Sequence, residues 1–120
     1  LQAAAFGAAT GWSHEADTVD NGLERIAADH YRCEVVVVNT MGLHARPATL
    51  FVRTANQYQS EVTIRKGDER VDGKSILQLL TLQATAGTRL VLEVRGADAL
   101  PAIQALGQLI TAGFEEQRTQ

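Results

Sequence analysis

A chain of 120 residues, 45% hydrophobic and only 5% aromatic, is sized for one compact domain around a single core. A formal net charge of -3 withholds the concentrated positive face that nucleic acid or an anionic membrane requires, so the expected partners are proteins or small molecules, with no nucleic acid and no membrane insertion. The lone Cys33 rules out an intramolecular disulfide and no Cys/His spacing suits zinc, so neither a metal nor a cofactor is expected and the redox setting reads as cytoplasmic. The longest apolar run, Val35 to Val38, is far too short for a bilayer, and no basic residue precedes the Ala3 to Ala9 stretch as a targeting segment would need.

Residues 1–30 show no sustained periodicity and read as an N-terminal arm or linker, with Ala3–Ala9 and Leu23–Ala28 each suited to a brief helix and Trp12 as an anchor. His14 and His30 lack metal-ligand spacing and are expected to be solvated. From residue 31 to 116 the pattern is regular. Cys33–Val38 is a β-branched run whose continuous apolarity predicts a strand buried within a sheet, with Cys33 as a small buried hydrophobe. Pro47 opens a helix with Leu50, Phe51, Thr54, Ala55 and Tyr58 at helical spacing. Glu61–Arg65 alternates, Lys66-Gly67-Asp68 supplies a turn and Glu69–Val71 returns, which makes a hairpin. Ser75-Ile76-Leu77-Gln78 matches a capping box and starts a short helix running to about Leu82, with Leu79 and Leu82 inward. Leu90, Leu92 and Val94 mark a fourth strand. Asp98 is placed to cap a last helix with Ala102, Ile103, Leu106, Leu109 and Ile110 on one face, and Gly113-Phe114 ends it. Residues 117–120 are left as a tail. Amphipathic helices and alternating strands in this order predict two layers, a sheet with helices on a single face.

The chemistry concentrates at Gly42-Leu43-His44-Ala45-Arg46-Pro47-Ala48, between the first strand and the first helix. His44 falls at or beside the N-cap, where unpaired backbone N–H groups and the positive end of the helix dipole suit a phosphate. Pro47 sits in the first turn, where its missing N–H costs nothing, and Gly42 permits the tight approach that lifts the imidazole out of the loop. An imidazole can present an unprotonated ring nitrogen as a nucleophile around neutrality. The backbone of Ala45 and Arg46, with the planar Arg46 guanidinium, is suited to hold phosphate oxygens. For an arbitrary His-x-Arg-Pro, a capping histidine beside a solvated arginine would be the simpler account.

The full string is more specific. It resembles the active-site signature of the HPr family, the histidine-containing phosphocarrier proteins of the phosphoenolpyruvate-dependent phosphotransferase system, and the resemblance extends over about residues 32–116. It implies an α+β open-faced β-sandwich, a four-stranded antiparallel sheet covered on one face by three helices in the order βαββαβα. It further implies that His44 takes a phosphoryl group on Nδ1 from phosphorylated enzyme I and passes it to an enzyme IIA domain, with Arg46 as the active-site arginine; such a protein is a carrier, not a free-standing enzyme. Met41 stands where many members have Asn or a small residue, which removes a side-chain hydrogen bond and bears on partner preference.

Asp72-Gly73-Lys74-Ser75-Ile76-Leu77 resembles the family's regulatory segment. Ser75 falls on the serine that an HPr kinase/phosphorylase modifies in some bacteria, although its role as an N-cap already accounts for it. Ile76, Leu77 and Leu80 match the corner at which partners of the family dock, and an apolar patch rimmed by polar groups fits that use. Gly73-Lys74-Ser75 is not a phosphate-binding loop of the nucleotide type, because Asp68 stands where that motif needs glycine. The competing reading is a regulatory interaction module of the same fold controlled at Ser75; the presence of both His44 and Arg46 weighs against it. Residues 1–30 read either as the linker from a preceding domain of a fused phosphotransferase protein or as a self-docking arm. Some family members serve nitrogen-related regulatory chains, and the ending Thr111 to Glu116 is similar to theirs.

Overall fold

The computed structural model describes residues 22–115; Trp12, His14, the Ala3–Ala9 stretch and the 117–120 tail lie outside the described residues. The elements are β1 (Glu24–Ala27), β2 (His30–Val36), α1 (Ala45–Ala55), β3 (Glu61–Lys66), β4 (Glu69–Asp72), α2 (Ile76–Thr81), β5 (Arg89–Arg95) and α3 (Ala99–Thr111). All neighbouring strands pair antiparallel in the order β1-β2-β5-β3-β4. The α+β open-faced sandwich predicted from the sequence is what the chain forms, with one strand more than expected.

That extra strand corrects two expectations. Leu23–Ala28 is not a brief helix, and Glu24–Ala27 and His30, read as the end of an arm, belong to the sheet. A six-residue helix is unstable by itself because nucleation is costly, whereas the open edge of β2 offers ready hydrogen-bond partners. Asp29, in the left-handed region at φ 60, turns the chain back, Glu24 lies opposite Arg32 in register, and their side chains pair at 3.0 Å. The register slips between Arg25 and Ala27, a bulge of the kind common at sheet edges.

Alternation governs β2, which ends at Val36 and not Val38, and continues through the two valines after it, contrary to the expectation of a continuously buried run. Val35 and Val37 are 3% and 1% exposed while Val36 and Val38 are 40% and 41% exposed, because helices cover only one face of the sheet. The strand also starts earlier than predicted, at His30. His30 is not solvated: its Nε2 lies 3.0 Å from Glu93 Oε2 across the uncovered face, and its side chain keeps 13% of its exposure.

The core lies between the sheet and the helices. Phe51, Ile64, Leu79, Leu82, Leu90, Leu92, Ile103 and Leu106 are all at most 1% exposed. Fully burying one such side chain is worth about 1.5–3 kcal/mol, against about 0–1 kcal/mol for an exposed ion pair. The apolar layer therefore holds the fold, and the charged outer face, where Arg89 and Glu34 stand 3.6 Å apart, contributes little.

Asp98 occupies the N-cap of α3 yet makes no side-chain capping bond, contrary to the sequence expectation. Its carboxylate instead accepts hydrogen bonds from the Ser60 hydroxyl, the Gln59 amide at 2.9 Å and the Ser60 amide at 3.0 Å. Those donors, the Ser60 hydroxyl first, hold the carboxyl below the usual carboxylate range and tie the entry of β3 to the start of α3. At the far end, Gly113 and Phe114 have φ 73 and φ 54, and Phe114 turns back into the core at 4% exposure.

Candidate phosphoryl-acceptor site

The loop between β2 and α1 is anchored at both ends and open in the middle. Asn39 and Gly42 close a turn, with the Gly42 amide donating to the Asn39 carbonyl at 3.1 Å. Asn at the first position and Gly at the fourth is ordinary turn chemistry, and this signal was available in the sequence. Asn39 is fully buried, and its Nδ2 donates to the Gly42 carbonyl at 2.7 Å. Gly42 adopts φ 73, and a Cβ there would stand 2.5 Å from the Ala84 carbonyl oxygen and 2.9 Å from Thr85 Cα. Glycine is required twice over, for its conformation and for the close approach of two backbone segments.

Leu43 buries its side chain and donates its amide to the Ala84 carbonyl at 2.8 Å, fixing the residue before His44. His44 is the N-cap of α1 in extended conformation (φ -94, ψ -167), and its side chain makes no capping hydrogen bond. Its carbonyl accepts from the Ala48 amide at 2.9 Å, which starts the helix. Pro47 and Ala48 are buried in the first turn, whereas His44 is half-buried and Ala45 and Arg46 are exposed. Pro47 has no amide and the Ala48 amide is taken, so Ala45 and Arg46 carry the backbone N–H groups at the open end of the helix. A half-buried imidazole, two leading amides and an exposed guanidinium thus share the positive end of one helix, an arrangement suited to an anion.

The second region behaves partly as expected. Ser75 caps α2, its hydroxyl accepting from the Gln78 amide at 3.2 Å. Gln78 does not reach back to Ser75, however; its side-chain oxygen accepts from the Asp72 amide at 2.9 Å, because the Ser75 amide already donates to the Asp72 carbonyl. Leu79 is fully buried, Leu80 is partly buried against the core, and Ile76 and Leu77 are 36% and 77% exposed. Met41, within the Asn39–Gly42 turn, is 71% exposed. The structure joins the two regions through Ala84, which follows α2 and receives the Leu43 amide; nothing in the sequence singled out Ala84, because only the tertiary fold brings it to the loop. Cys33 is buried, and burial together with the Glu34 carboxylate pushes its thiol up, as suits an inert core residue.

The family model described as the PTS HPr component phosphorylation site matches residues 31–112. The phosphocarrier protein HPr of Neisseria meningitidis serogroup A is 46% identical over 82 residues, covering 68% of this chain and 92% of the relative. A multiphosphoryl transfer protein of Escherichia coli O157:H7 is 38% identical over 91 residues, 73% of this chain but 24% of that larger protein. Among solved structures, HPr-C-His from Thermoanaerobacter tengcongensis superposes with a TM-score of 0.69 at 38% identity, covering 71% of this chain and 96% of that one. The matched stretch holds the His44 loop, α2, β3, β4, β5 and all of β2 but His30, and β1 lies before it. Sequence, fold and loop agree, and the chain belongs to the HPr family of phosphocarriers of the phosphotransferase system.

Proposed function

We propose that His44 is the phosphoryl acceptor, taking the group from phosphorylated enzyme I and passing it to an enzyme IIA domain in the cytoplasm, within sugar uptake or a related regulatory chain. The observation that supports this is the position of His44 at the N-cap of α1 without a capping bond from its side chain. In the forward step the lone pair of an unprotonated ring nitrogen, Nδ1 by family resemblance, attacks phosphorus. The N–P bond forms as the bond to the donor breaks, and that bonding pair leaves with the donor. The phosphoryl oxygens then face the amides of Ala45 and Arg46 and the Arg46 guanidinium, whose charge-assisted hydrogen bonds favour the phosphorylated state. In the return step the acceptor attacks phosphorus and the N–P pair goes back to the ring.

Ile76 and Leu77 supply exposed apolar surface for docking, with the partly buried Leu80 beneath them. An HPr kinase/phosphorylase acting at Ser75 would add charge beside this surface while leaving an oxygen to cap α2. The test is incubation of the chain with enzyme I and phosphoenolpyruvate. An acid-labile, base-stable adduct is expected on the wild-type chain and absent from His44→Ala; its persistence in that variant overturns the assignment.

A further inference from the structure

The loop that carries His44 is seated on Ala84 and Thr85, and a lysine from another element reaches the two residues just before them. Lys66, the last residue of β3, donates from Nζ to the Leu82 carbonyl at 2.8 Å and lies 3.5 Å from the Gln83 carbonyl oxygen. Leu82 is the C-cap of α2. This helix is six residues long and has no basic residue in its own last turn, so Lys66 brings the cation that the negative helix end favours. The next residue, Gln83, sits in the left-handed region at φ 52, where glycine is the usual occupant. The residue after that is Ala84, whose carbonyl receives the Leu43 amide at 2.8 Å, one residue before His44.

We propose that Lys66 is a positioning residue for phosphoryl acceptance: by holding the Leu82 and Gln83 carbonyls it fixes the Ala84 carbonyl on which the Gly42–His44 loop rests. The proposal rests on His44 being the acceptor. Lys66 touches no reacting atom and acts only through residues 82–84. Without its ammonium the left-handed Gln83 loses a restraint, the Ala84 carbonyl moves, and the imbalance reaches the imidazole through one hydrogen bond and one peptide unit.

The test compares the full wild-type chain with Lys66→Met, Lys66→Arg and the double variant Lys66→Met/Gln83→Gly. In Lys66→Met, hydrogen exchange at the Leu43 amide is expected to speed up while core amides of β5 keep their protection. Phosphorylation by phosphorylated enzyme I is expected to slow at saturating donor on the order of three- to tenfold, with half-saturation unchanged, since misplaced reacting groups lower the rate more than the docking. Lys66→Arg should recover most of the rate, and Gln83→Gly should do so in the Met background by letting glycine hold the left-handed turn. Unchanged Leu43 exchange in Lys66→Met, or a defect confined to half-saturation, overturns the tether, the latter by assigning Lys66 to donor docking. A wild-type chain that takes no phosphoryl group removes the reading beneath the proposal, a result separable from the exchange measurement, which needs no donor.

Discussion

At the start of α2 the side chains serve the backbone: the Ser75 hydroxyl takes the Gln78 amide and the Gln78 side chain takes the Asp72 amide. At the start of α1 His44 holds the equivalent position and its side chain makes no capping bond. Packing explains the difference. Across its eleven residues α1 buries Pro47, Ala48, Phe51, Val52 and Ala55, whereas α2 has six residues and buries only Leu79 within the helix. A helix held by a wide apolar face can leave its cap residue to chemistry; a single turn and a half held by one leucine cannot. The start of α3 is a third case, in which the cap residue Asp98 turns its carboxylate away to hold Gln59 and Ser60.

The largest contrast is expected from His44→Ala, which should abolish phosphoryl acceptance yet change unfolding free energy by less than about 1 kcal/mol, since no capping bond is lost. Urea unfolding beside the phosphorylation assay checks both halves; a large stability loss would mean that the imidazole supports the fold after all. Next comes Gly42→Ala, which puts a methyl against the Ala84 carbonyl in a left-handed conformation. It should cost about 1–3 kcal/mol in urea unfolding and slow phosphoryl acceptance together, because the same backbone approach sets both.

Ser75→Ala should show the opposite profile from His44→Ala, losing about 1 kcal/mol of stability, while Ser75→Asp, an equally good cap residue, should keep the wild-type unfolding midpoint. If Ser75→Ala unfolds at the wild-type urea concentration, the contrast between the two helix starts collapses. The smallest effect concerns Asp98. Its folded carboxyl titrates below the ordinary value of 3.8, so the stability it contributes is present above that value and is lost as pH falls through the depressed one. Asp98→Asn should therefore be less stable than wild type at neutral pH, and the gap should narrow as pH falls below the ordinary carboxyl value of 3.8. A gap in unfolding midpoint that stays constant over this range would show that the hydrogen bonds to Asp98 do not depend on its charge.

Local chemistry made most of the inner domain readable. The alternation in β3 and β5, the helical spacing of Phe51 and Ala55, and the serine that opens α2 all depend on neighbours a few residues away, and each appears in the fold near its expected place. Where long-range pairing decides, local pattern misleads. Leu23–Ala28 has no strong preference of its own and took its conformation from the free edge of β2. The Val35–Val38 run looked uniformly apolar, yet which members were covered depended on helices lying on one face only. His30 found Glu93, 63 residues away in sequence, and Asp98 found Ser60, 38 residues away.

The His44 loop divides along the same line. Its residue types were legible from Gly42 to Ala48, because a nucleophilic imidazole, a helix start and a phosphate-matching arginine all lie within seven consecutive residues. The support beneath it was not: Ala84 carries no local signature, and it meets the loop only when the segment after α2 is folded against it. The amino-acid sequence by itself determined the family signature and the residue types placed at the start of α1, since these follow from side-chain type and helix polarity over a few residues. Only the tertiary structure decided how the loop is held and where the sheet ends, because backbone hydrogen bonds between distant segments leave no periodic trace in either segment.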